Sequence, residues 1–166
     1  MGSLDVAHAD LRAQFDAFLD EHRAMTAAAL DGVTEEQARA RLVASETTLL
    51  GLVKHATFVE RVWFDEAVTG RSRAEIGIPA TPDESFLLTG SDTIDSVLRA
   101  HAEACADARA RCADLDLEDL LPFNRRGPLP LRVVYLHVIR ELAHHSGHAD
   151  ILREQLLTPV APPNAR

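Results

Sequence analysis

The sequence predicts an all-α protein, and three observations carry that expectation. Apolar residues recur at helical spacing in four long segments, turn-forming residues separate the segments, and Ala and Leu are abundant while aromatic residues make up only 5%. Hydrophobic residues account for 46% and charged residues for 26% of the 166-residue chain, ordinary values for a globular protein. A single domain over residues 1–157 is therefore expected, followed by a flexible proline-rich tail over residues 158–166.

The first helix is expected from about Asp5 to Leu30, where Asp31-Gly32 supplies a stop signal. Thr34 with Gln37 three residues later reads as a capping box that opens a short helix. The second long helix begins after Ser45, carries TTLLGLVKHATFVERVWFDEAV and stops before Gly70. Between Gly70 and Gly90 the chain reads RSRAEIGIPATPDESFLLTG, with two prolines and no period, so a long loop is expected. Loops of this length often serve as lids or binding loops. The third helix runs from near Ser91 or Asp92 to about Leu115, and the loop LEDLLPFNRRGPLP leads into a fourth from about Leu131 to Leu157. No internal repeat interrupts this bundle pattern.

The net charge of −9 and pI near 5.3, with no Lys/Arg cluster, argue against nucleic acid, whose phosphates would be repelled. The N-terminus lacks the apolar region of a signal peptide, and no run is long enough to span a bilayer. A soluble cytoplasmic protein is expected. Cys105 and Cys112 lie about 10 Å apart along one helix, too far for a disulfide, and read as buried small hydrophobes in a reducing compartment.

The stretch ELAHHSGHAD, residues 141–150, concentrates titratable side chains on the fourth helix. With Glu141 at zero and about 100° per residue, His145 falls near +40°, His148 near −20° and His144 near −60°. Val134, Val138, Ala149 and Leu152 fall between roughly +20° and +80° on the same wheel. His145 thus sits inside the apolar stripe and Glu141 at its edge. Buried imidazole and carboxylate groups one turn apart are costly unless a partner satisfies them, and a divalent metal would.

On the second helix His55 lies among Leu52, Val59 and Val62 and also points inward. Packed together, the two helices would offer His55, Glu141 and His145 to one metal, three ligands with open positions, as in catalytic zinc sites. An ordinary hydrogen-bonded core histidine and a helix-stabilising Glu-x-x-x-His pair remain the alternative. His144-x-x-x-His148 is a second pair at metal-binding spacing, ranked lower because His144 leans away from the stripe; His148 is also a candidate fourth ligand, proton shuttle or substrate contact.

The segments LLGLVKHATFVERVWF, residues 49–64, and LRVVYLHVIRELAHHSGHADILRE, residues 131–154, resemble the DinB-like superfamily of metal-binding four-helix bundles. The resemblance is closest to the branch of actinobacterial proteins that includes mycothiol-dependent maleylpyruvate isomerase and mycothiol S-transferases. It implies a metal held by His55, Glu141 and His145, the same residues selected by the helical wheel. Val133, Arg140 and His144 stand where relatives often carry Trp, Glu and Arg.

The resemblance further implies that a mycothiol-like low-molecular-weight thiol is co-substrate to a small electrophile. The metal would be Zn²⁺, with Ni²⁺ or Fe²⁺ as alternatives, and the thiol would enter its open position as thiolate. His148, on the same face as His145, is the candidate catalytic proton acceptor. Arg125, Arg126 and Arg140 are candidates to bind an anionic group, whereas Trp63 and Phe64 read as core. Competing readings are a non-catalytic metal-binding protein with a stress or damage-response role, and a metal-free interaction protein. Homologous bundles can dimerise through outer faces, so a homodimer is left open.

Overall fold

Capping side chains set where each long helix begins. A computed structural model describes residues 2–158; residues 159–166 of the expected proline-rich tail lie outside the described residues. Helix α1 (Leu11–Ala28) opens at Asp10, whose carboxylate accepts from the Ala13 N–H. This corrects the expected start at Asp5: Ser3–Val6 form a separate 3₁₀ turn, because the Asp10 cap satisfies the orphan donors of the helix that follows it. The capping box of Thr34 and Gln37 opens α2 (Glu35–Ala38) as expected.

Helix α3 (Leu49–Arg61) is capped by Thr48 and runs into a π-helical turn, Val62–Glu66, then α4 (Ala67–Thr69). Gly70 ends it at φ 73°, and a Cβ there would lie 2.9 Å from the Phe123 ring, so both conformation and space require glycine. The following loop contains α5 (Arg73–Ile76) and a 3₁₀ turn, Asp83–Phe86. Helix α6 (Ile94–Cys112) starts after its Thr93 cap, and α7 (Leu131–Leu157) matches its expected limits. Unforeseen is a short antiparallel pair between them, β1 (Leu120–Leu121) and β2 (Leu129–Pro130), with Leu120 opposite Pro130.

The architecture is an all-α DinB-like bundle. α3 packs on α6 and α7, and α1 packs along α7. One apolar cluster joins Leu19, Val59, Phe64, Val134, Val138 and Leu142; another joins Leu30, Leu50, Val53, Val97 and Leu152. α3 contributes Leu52 and Val53 to one cluster and Ala56 and Val59 to the other, with His55 between them in sequence. No helix among the described residues is long and apolar enough to cross a membrane. Cys105 and Cys112 are free and buried, and burial pushes both thiols up, to about 12 and about 11.

Charge is also buried in the bundle. Arg23 on α1 makes two hydrogen bonds to Glu60 on α3, at 2.8 and 2.7 Å, and the Glu60 carboxylate is fully enclosed. Asp65, also buried, is met by Arg111 of α6 at 2.9 Å and by Arg71 at 3.4 Å. Such pairs hold registry between helices because one partner without the other is an uncompensated buried charge. Glu60→Gln is expected to destabilise the protein by about 3–5 kcal/mol, whereas the paired Arg23→Met/Glu60→Leu change recovers most of that loss. Urea denaturation of the two variants checks this; equal losses would defeat it.

Candidate metal centre

The packing of α3 on α7 brings His55, Glu141 and His145 together, with one ligand atom from each within 4.8 Å of the other two. The His55 and His145 rings meet edge to face, with centroids 4.7 Å apart. Glu141 Oε2 lies 3.9 Å from His145 Nε2, one turn along α7.

The loop after α5 fixes the His55 ring. Ser85 Oγ donates its hydrogen to the Pro82 carbonyl and lies 2.6 Å from His55 Nδ1, so it accepts from the Nδ1–H. That arrangement leaves the lone pair on Nε2. Phe86 stacks flat on the ring, with centroids 4.0 Å apart and planes at 13°. Burial, then the neighbouring His145, push His55 down to about 3 from its ordinary 6.5. The ring is held neutral.

His145 is also lowered, by burial first and against the pull of Glu141. Its Nδ1 is buried with no hydrogen-bond partner among the described residues, while Nε2 stands too far from Glu141 for a hydrogen bond. An imidazole so placed calls for an electrophile. Two neutral nitrogens and a carboxylate bracketing one point fit a divalent ion such as Zn²⁺, which takes these ligands at about 2.0–2.2 Å.

The cluster borders a cleft of about 270 Å³, to which His55 and Glu141 contribute directly. Around the π turn Trp63 and Glu66 line this cleft while Phe64 and Asp65 are buried; Trp63 also packs against the apolar cluster, so its core reading holds in part and that of Phe64 in full. His137 packs on the Trp63 ring at 3.8 Å. Arg140 donates to His137 Nδ1 at 2.8 Å, so the His137 hydrogen sits on Nε2, which lies 3.8 Å from Glu141 Oε1; Arg140 also reaches that oxygen at 3.3 Å. Arg73, Arg125 and Arg126 supply positive charge to the cleft.

His148 is exposed, with its ring 5.7 Å from that of His145, and it borders a separate depression beside Val43, Thr47 and Ile151. His144 is exposed as well and stacks on His145 at 5.5 Å. The fold thus gathers His55, Glu141 and His145 and leaves His148 outside the cleft. Sequence reasoning missed Ser85, which no local signal marks. It also missed His137, although its place four residues before Glu141 puts it on the same helix face.

An all-α bundle with a His/Glu/His cluster between two of its helices defines a DinB-like protein with a candidate metal site. Residues 14–157 match the family model described as Mycothiol-S-transferase, and the chain belongs to that family. None of the curated proteins matches it significantly.

Two outcomes follow from this geometry. Ser85→Ala removes the acceptor that orients His55 and is expected to weaken metal affinity by roughly 10–100-fold, measured by chelator competition. His55 and His145 are held below 6.5 in the folded chain, so the unfolded chain takes up protons first as pH falls. Stability of metal-free protein should therefore decline from about pH 6.5 towards the His55 value of about 3. The slope should be shallower in His55→Gln, by thermal unfolding across that range.

Proposed function

We propose that this protein is a divalent-metal-dependent thiol S-transferase. His55, Glu141 and His145 would hold the ion, Zn²⁺ in the first instance with Ni²⁺ or Fe²⁺ as alternatives. The co-substrate is mycothiol or a similar low-molecular-weight thiol, and the acceptor is a small electrophile. The observation that carries the reading is the meeting of a His/Glu/His cluster with an open cleft, in a chain of the mycothiol S-transferase family.

When bound, the metal supplies Lewis acidity that brings a thiol to its thiolate at neutral pH. The chain's own groups do the rest. Ser85 keeps the His55 hydrogen on Nδ1, and Arg140, itself bonded to His137, donates to Glu141 Oε1, the carboxylate oxygen not turned to His145. Trp63 presents an apolar face to the acceptor, and Arg125 and Arg126 receive an anionic group on either substrate. Carbon–sulfur bond formation requires the thiol proton to leave, and His148, exposed to solvent beside His145, is the assigned carrier. Buried free cysteines suit a reducing cytoplasm, where such thiols persist.

The test uses untagged protein, elemental analysis, and thiol-dependent consumption of a chromogenic electrophile with mycothiol, glutathione and cysteine compared. One divalent ion per chain and turnover with mycothiol are expected. His55→Ala and His145→Ala should each lose the ion and at least roughly 10²-fold in rate, the scale of a catalytic group's contribution. Turnover that persists in metal-free protein, or a fully loaded metal with no turnover over the thiol panel, would overturn the assignment.

A further inference from the structure

The fourth-helix histidines that the cleft does not use remain to be explained. We propose that His144 and His148 form a second cation site on the outer face of α7, a two-imidazole chelate for a divalent transition-metal ion. The two residues are one helical turn apart, both are exposed, and their ring centroids lie 4.5 Å apart. Both rings are therefore within reach of one ion whose nitrogen ligands bind at about 2.0–2.1 Å.

Three further features favour the site. Histidine hydrogen bonds among the described residues involve His55, His101 and His137, so the lone pairs of His144 and His148 have no protein competitor there. The helix surface beside the pair is uncluttered: a Cβ built on Gly147 meets nothing within 4 Å, and Ala143 carries only a methyl group. Arg140, the cation one turn before His144, is hydrogen-bonded to His137 and Glu141.

The chemistry selects the ligand class. Two imidazoles without a carboxylate suit Cu²⁺, Ni²⁺ or Zn²⁺ and reject Mg²⁺ and Ca²⁺, which require oxygen ligands. The second nitrogen binds as an intramolecular event, so the pair gains affinity that neither ring has alone. His144 stacks on His145, and this outer site therefore abuts the inner cluster while sharing none of its residues. It does not rest on the catalytic reading, and an ion bound there would occupy the lone pair that the proton role of His148 uses, so a filled outer site would suspend that role.

Calorimetric titration of untagged, metal-free, full-length protein with Ni²⁺ at pH 7.5 and 5 mM Mg²⁺ tests the proposal. The wild type is expected to bind two ions in two affinity classes. His144→Ala or His148→Ala should weaken the second class by roughly 10²-fold and leave the first intact. His55→Ala should do the reverse, so failure of the inner site and failure of the outer one are distinguishable. In parallel, substoichiometric Cu²⁺ should broaden the imidazole NMR signals of His144 and His148 together in the His55→Ala protein. A second class that survives both outer substitutions, the absence of any second ion in the wild type, or broadening confined to one ring would overturn it.

Discussion

The approach of α3 to α7 at the level of His55 and His145 is the constraint on which the rest of the molecule depends. Two imidazoles and a carboxylate are drawn into a region whose neighbours are otherwise Leu, Val, Ala and Phe. Desolvation there opposes charge on either ring, which is why both are held as neutral bases. A core that contains such a cluster forgoes part of its hydrophobic stabilisation. What it gains is a fixed set of lone pairs whose atoms lie within 4.8 Å of one another.

The surrounding interactions keep that approach in register. The buried Arg23–Glu60 pair ties α1 to α3 only five residues past His55, and Asp65 links the π turn to α6 through Arg111. Paired charges of this kind tolerate little sliding, because a shift of one turn would strand a carboxylate in the core. The 71–93 loop performs a complementary task. It carries Ser85 and Phe86, which together fix the hydrogen position and the plane of the His55 ring. A loop with no regular period thus contributes the orientation of the most deeply buried member of the cluster.

On the α7 side the same work falls to charged and aromatic neighbours. Arg140 and His137 restrain Glu141 from the cleft side, and His144 covers His145 from the solvent side. Arg140 hydrogen-bonds to Glu141, and His144 stacks on His145. Both therefore shape the electrostatic surroundings of the His/Glu/His cluster. Trp63, Phe123 and the arginines of the hairpin between β1 and β2 shape the cleft beside the cluster.

By itself the sequence determined what helical periodicity and capping chemistry can encode. The limits of α7, the Thr34–Gln37 capping box, the inward aim of His55 and His145 and the placement of Glu141 at the stripe's edge all follow from residues within a turn or two of one another. The all-α class follows from the same local signals. Only the tertiary structure decided which side chains from distant segments meet. It placed Ser85 thirty residues from His55 yet within hydrogen-bonding reach, and it moved the first helix start to Leu11. It also set Trp63 between the core and the cleft and directed His137 into the cleft while leaving His148 on the surface. The physical reason is range: a helical wheel knows the angle of each side chain about its own axis, but not the distance or rotation at which another element packs against it.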